Sequence, residues 1–118
     1  MHEFLPYAWF EGKCIPFKEA KISIATHALH YGTAAFGGMR AIPNPSNNEE
    51  FLLFRTDKHI KRLSQSSKLL LNEISENYIF NALEEVIKMK SAAGCSIKSS
   101  LFFSFPAIFN ILCIFIYK

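Results

Sequence analysis

Between Thr26 and Arg40 the chain reads THALHYGTAAFGGMR, which sets two histidines, a tyrosine, a phenylalanine, three glycines and an arginine within fifteen positions. Imidazole can move a proton or bind a metal, and aromatic rings can wall an apolar pocket. Glycine costs backbone entropy on folding, so a cluster of it marks close backbone approach or unusual dihedrals. The stretch reads as a site or as the wall of one. His27 and His30 stand three apart, a spacing that would serve a metal on a helix. No second pair or nearby carboxylate completes a ligand set, and Asp57 is the sole aspartate. No metal is expected, and the two histidines are read as turn-stabilising or packing groups.

A second candidate lies downstream. Arg62 sits within DKHIKRLSQSSK, flanked by the hydroxyls of Ser64, Ser66 and Ser67. A guanidinium fork there could grip a phosphate or a carboxylate, its preferred partners. The plainer reading is a solvated helix arginine. Other chemistries find no support. There is no Gly-x-Ser-x-Gly elbow, and FGGMR is neither a dinucleotide fingerprint nor a P-loop.

The whole chain bounds what these residues can serve. At 118 residues it is one domain in size, and half of it is hydrophobic, with twelve phenylalanines, so it is not a disordered composition. The net charge is +3, and Lys58, Lys61 and Lys68 form no long basic block, so no nucleic-acid partner is expected. Cys14, Cys95 and Cys113 are odd in number and widely spaced, which argues against a disulfide framework and fits a reducing, cytoplasmic setting. The N-terminus carries no apolar run of signal-peptide length.

The elements that must position the candidates follow from pattern. Tyr7–Phe10 and Lys13–Pro16 flank EG, a turn signal, and predict a hairpin. Phe17–Ile24 is a connection with a possible short strand at Ile22 and Ile24. Ala34–Ile42 and Phe51–Phe54 predict two further strands, joined by an exposed loop, PNPSNNEE. Thr56 or Asp57 is expected to cap a helix with Ile60, Leu63 and Leu70 on one face. Ser75 is expected to cap a second, with Ile79, Leu83, Val86 and Ile87 at helical spacing and Lys88 and Lys90 suited to its C-terminal dipole. Strands followed by helices predict an α+β fold.

AWFEGKCIPFKEAKISIATHALHYGTAAFGGMRAI followed by FLLFRTDKHIKRLSQSSKLL resembles the start of a branched-chain amino acid aminotransferase. HALHYGT, then a phenylalanine, a glycine and an arginine, then a His-x-x-Arg-Leu helix carry the likeness, which runs from about Tyr7 to Met89. It implies the small N-terminal domain of the class IV pyridoxal-phosphate aminotransferase fold, an antiparallel sheet with two packed helices. The implied reaction transfers an amino group reversibly from leucine, isoleucine or valine to 2-oxoglutarate. Tyr31 and Phe36 then match substrate-side residues, and Arg40 holds a motif position that is as consistent with anchoring the strand as with touching substrate. Arg62 matches the arginine that binds the phosphate of pyridoxal phosphate. Phe36 and Arg62 are expected to face the same side. The family is at least dimeric, so a homodimer is implied as well.

The chain departs from the family in two ways. Gly37 stands where many members carry an acidic residue. The lysine that attaches the cofactor and shuttles the proton belongs to a large C-terminal domain, and none of Lys88, Lys90, Lys98 or Lys118 has its context. No catalytic residue is therefore assigned, and the chain alone is expected to be inactive. The organisation read from composition is a small domain at 1–90, a linker at 91–100 and an apolar tail at 101–118, where the family's next strand should begin near Ser96. LFFSFPAIFNILCIFIY, uncharged throughout, allows three origins. It is marginal as a membrane anchor. It could be a strand of the domain, or translation of a disrupted reading frame, which its Phe, Ile, Asn, Lys and Tyr content favours. On that last reading its removal should leave the fold intact. The alternative to an aminotransferase fragment is a non-catalytic interaction or membrane-associated protein that reuses the small domain.

Overall fold

The computed structural model describes residues 4–70, 73–92, 99–106 and 113–117. Strand β1 (Phe4–Phe10) turns into β2 (Lys13–Pro16) through Glu11 and Gly12, whose φ values of 49° and 85° are both left-handed. Such a pair matches the twist of a two-residue hairpin, and Gly12 adopts it without steric cost. A single 3₁₀ turn follows at Phe17–Glu19, its Phe17 ring stacked on Phe4 at 4.9 Å. The possible strand at Ile22 and Ile24 does not form, and Ile24 is almost fully exposed in a turn.

Helix α1 (His27–Tyr31) is short and ends at Gly32 in the left-handed conformation. Strand β3 (Ala34–Asn44) and strand β4 (Asn47–Leu53) run further than the sequence pattern suggested. The expected loop at 43–50 contracts to a turn at Pro45–Ser46. Asn44 holds it, its Oδ1 accepting from the Ser46 N–H and its Nδ2 donating to Glu50. Asparagine side chains close turns in this way, leaving the flanking residues free to pair.

Helix α2 (Thr56–Leu69) and helix α3 (Glu76–Ala92) cover one face of the sheet. Neither Thr56 nor Asp57 caps α2. The N-cap is Arg55, at φ 52°, with no side-chain cap, while Asp57 lies in the first turn, where a carboxylate suits the dipole. Ser75 does cap α3, its Oγ accepting from the Tyr78 N–H at 3.2 Å. The core lies between the layers. Trp9, Ala35, Met39 and Ala41 from the sheet meet Ile60 and Leu63 from α2, Ile74, and Ile79, Ala82, Leu83 and Val86 from α3. The Trp9 indole N–H donates to Glu85 at 2.9 Å and its ring meets Tyr78 edge-on, which fastens α3 to the first hairpin.

Strands β5 (Ser99–Pro106) and β6 (Cys113–Tyr117) come from the segments expected as linker and tail. All pairings are antiparallel, and the sheet order is β2-β1-β6-β5-β3-β4. Helix α3 extends two residues past the expected boundary at Lys90, and β5 opens at Ser99, inside the expected linker. The resemblance places a next strand near Ser96; β5 is the next strand described, opening at Ser99, and residues 93–98 lie outside the described residues. The two strands join the two hairpins into one sheet, because β1 and β3 offer unpaired inner edges that a strand pair can fill. No helix among the described residues is long and apolar enough to cross a membrane.

Candidate functional site

Strand alternation assigns the β3 side chains. Ala35, Met39 and Ala41 are buried under the helices, while Phe36 and Ile42 are 58% and 48% exposed on the opposite face. Arg62 stands on α2, over the helix-covered face. It borders a small hollow of about 10 Å³, enough for one water, together with Gly37, Gly38, His59, Ile60, Leu63 and Ile79. Phe36 and Arg62 thus approach β3 from opposite sides, which corrects the expected common side. Alternation explains the difference, since residue 36 and the helix-facing residues 35 and 39 differ in parity. The two glycines between them leave only backbone at the crossing point, so Arg62 lies beside the strand that carries Phe36 without sharing its face.

The hydroxyls beside Arg62 do not join it in a phosphate cradle. Ser64 Oγ donates to the Ile74 carbonyl at 2.8 Å, and Ser67 Oγ donates to the Ser64 carbonyl at 2.7 Å, both buried. Ser66 Oγ donates to the Arg62 carbonyl at 2.9 Å. The first satisfies a buried carbonyl between α2 and α3, and the other two bond back to carbonyls within α2. The Arg62 side chain is exposed, and no hydrogen bond or ion pair joins its guanidinium to another described residue. An exposed, uncommitted guanidinium suits an external anion.

Tyr31 closes α1, separated from β3 by Gly32 and Thr33, and is 73% exposed. The histidines of the motif are engaged locally. His30 Nε2–H donates to the Ile24 carbonyl at 2.7 Å, and His27 Nδ1 shares a 2.7 Å hydrogen bond with Thr33 Oγ1. The His27 ring also stacks on Tyr31, with centroids 4.2 Å apart. The i,i+4 spacing of His27 and Tyr31 is a signal that could have found that contact, and the sequence reading did not use it. Arg40 lies in β3 opposite Ser100, and its side chain lies outside the described residues. No group of three His, Cys, Asp or Glu that could hold a metal occurs among the described residues. Away from this region, burial and then the Glu85 carboxylate push the Cys14 thiol pKa up, and burial pushes the Tyr78 phenol up.

No family model matches the chain. Individual relatives do. It is 56% identical over 88 residues to a probable branched-chain-amino-acid aminotransferase of Synechocystis, an alignment covering 75% of this chain and 29% of that one. It is 42% identical over 84 residues to a protein of the same description from Aquifex aeolicus, covering 71% of this chain and 26% of that one. Among solved structures, a T.th. branched-chain amino acid aminotransferase complexed with N-(5'-phosphopyridoxyl)-L-glutamate superposes with a TM-score of 0.78 at 25% identity, over 95% of this chain and 40% of that one. The Escherichia coli enzyme gives 0.77 at 24% identity over 96% and 40%, a likeness of fold.

An antiparallel sheet covered on one face by two helices, with HALHYG leading into its long strand, defines the small domain of the class IV aminotransferase fold. The chain spans less than a third of the length of the Synechocystis and Aquifex relatives. It belongs to the branched-chain-amino-acid aminotransferase family, as a match to the N-terminal part of those proteins.

Proposed function

We propose that this chain forms the small-domain wall of a branched-chain amino acid aminotransferase. In the complete enzyme the reaction would move an amino group between leucine, isoleucine or valine and 2-oxoglutarate, a step in making the branched-chain amino acids. The observation that carries this is the 56% identity over 88 residues to the Synechocystis relative. The residues present fit one part of pyridoxal phosphate: Arg62, across β3 from Phe36, offers an uncommitted guanidinium suited to the phosphate, and that charge alone supports its role. When bound, that cofactor supplies the electron sink for breaking bonds at the amino carbon. Tyr31 and Phe36 would present aromatic surface to the substrate, and Arg40 would anchor the strand or contact substrate. The chain would work in the cytoplasm, where a free thiol such as Cys14 persists, and as a homodimer. We assign it no catalytic residue, because the lysine expected of the family has no match here.

Binding by this chain alone should be weak. One charge-assisted contact contributes about 1.5–3 kcal/mol, short of the roughly 4 kcal/mol that millimolar affinity requires. The test passes the chain through gel filtration with excess pyridoxal phosphate, then measures cofactor absorbance and leucine–2-oxoglutarate turnover. Neither retained chromophore nor turnover is expected. A stoichiometric chromophore with turnover would show that a lysine of this chain has taken the catalytic role and would overturn the proposal. Joined to a large domain, the Arg62→Ala variant should lose cofactor more readily than its parent.

A further inference from the structure

Tyr31 poses a positioning problem. It sits at the last position of a five-residue helix, and the residue is 73% exposed. A helix this short has little stability of its own. An exposed tyrosine at its end would sample several rotamers unless something held it. The structure supplies a holder. The His27 ring lies one turn earlier, stacked on Tyr31 at 4.2 Å with an interplanar angle of 28°. His27 is in turn fixed from the other side by Thr33, whose Oγ1 is 2.7 Å from Nδ1. Thr33 lies beyond the left-handed Gly32, immediately before β3, and Ala34 N–H closes the turn onto the Gly32 carbonyl at 2.9 Å.

From this chain of contacts we infer that His27 is a positioning residue for Tyr31. Thr33 sets the imidazole, and the imidazole sets the tyrosine ring relative to the strand that bears Phe36. His27 is engaged locally, its Nδ1 with Thr33 and its ring with Tyr31. The inference deepens the proposed function, resting on Tyr31 as a substrate-side residue. It assigns the first histidine of HALHYG a distinct task from the second, which ties the preceding turn through the Ile24 carbonyl.

The test is nuclear magnetic resonance of the full 118-residue chain with ring-labelled tyrosine, the Tyr31 signals identified from Tyr31→Phe. Stacking on His27 should displace the Tyr31 ring signals upfield, and His27→Ala should abolish that displacement while the Trp9 indole signal stays in place. His27→Phe should retain the displacement, because it keeps a ring at the stacking position. Tyr31 signals identical in the parent and in His27→Ala would overturn the inference. If His27→Ala loses the Trp9 signal through unfolding, Thr33→Val decides instead: it removes one hydroxyl, and unchanged Tyr31 signals in that variant would also overturn the inference. A separate titration, on the chain joined to a large aminotransferase domain as for Arg62→Ala, uses 4-methylvaleric acid, the compound complexed with a T.th. relative. Parent Tyr31 signals that respond to the acid, with a smaller response in His27→Ala, support positioning for binding. Parent signals that ignore the acid defeat the substrate-side reading of Tyr31, and with it the functional part of the inference, while the His27→Ala comparison still decides the contact.

Discussion

Ending the chain at Lys90 should destroy the fold, although the composition of what is removed suggests a dispensable tail. The perturbation takes out β5 and β6, the two strands at the centre of the six-stranded sheet. Eight residues of β3 stand opposite β5 and four of β1 stand opposite β6, twelve pairs in all. At roughly one ladder hydrogen bond per pair and about 0.5–1.5 kcal/mol net for each, the two seams contribute on the order of 6–18 kcal/mol. A whole domain is stable by only about 5–15 kcal/mol. Without these strands, the β1–β2 and β3–β4 hairpins have no strand between them, are linked only through the helices, and have raw inner edges. The assay is urea unfolding followed by far-ultraviolet circular dichroism, for the full chain and for a chain ending at Lys90. The full chain should give a cooperative transition and the shortened one none, with aggregation through its open edges. Phe102→Pro is a finer version. Phe102 stands between Gly38 on β3 and Phe115 on β6, so the substitution removes a ladder donor at a position paired on both sides. Equal urea midpoints for the full and shortened chains would refute the reasoning and return residues 99–117 to the status of an appendage.

Two further outcomes follow from local contacts. Ser75→Ala removes the acceptor for the Tyr78 N–H and should lower stability by about 1 kcal/mol, read as a lower urea midpoint at unchanged slope, with Ser75→Asp restoring most of it. Stability should also fall in alkali. The Cys14 and Tyr78 pKa values are both raised in the folded chain, by burial first in each case and by Glu85 as well for Cys14. The unfolded chain therefore releases these protons first, so stability is complete below the ordinary thiol and phenol values of about 8.5 and 10 and declines as pH rises through the folded values. Urea midpoints measured from pH 7 to 11 check this, and Cys14→Ser should remove the earlier part of the decline.

Much of the architecture was readable where one residue type has a single physical use. EG between apolar runs gave the first hairpin because glycine tolerates the left-handed turn, and Ser75 gave the start of α3 because a hydroxyl satisfies an orphan N–H. Reading failed where tertiary context chose between equals. Thr56 and Asp57 are good caps, yet the chain enters α2 through Arg55 in a left-handed conformation, and both residues are drawn inside the helix. The PNPSNNEE segment looked like a loop because asparagine and proline favour turns, but one asparagine closing a two-residue turn was enough. The central strands were hardest. A continuous apolar run lacks the alternation that marks a half-buried strand, so it cannot be told by pattern from a membrane segment or an accidental sequence. At the site, the residue types were legible and their arrangement was not. Phe36 and Arg62 are recognisable one by one, but a single step of strand parity decides which face Phe36 occupies, and the packing of α2 decides the side of Arg62. The serines that flank Arg62 in sequence spend their hydroxyls on backbone carbonyls, which their spacing does not reveal.

The placement of β6 beside β1 also sets a schedule. Ala8 pairs with Phe115, so the sheet is sewn together between residues more than a hundred positions apart. Contacts that distant form slowly, because loop closure must be met before the pairing rewards it. During synthesis both hairpins and both helices emerge while the strands that join them are still unmade. At about 5–20 residues per second, the nascent chain spends seconds with two unpaired sheet edges open. A cell making this protein must shelter those edges until residues 99–117 arrive, and any stall in that interval leaves a species built to pair with its own copies.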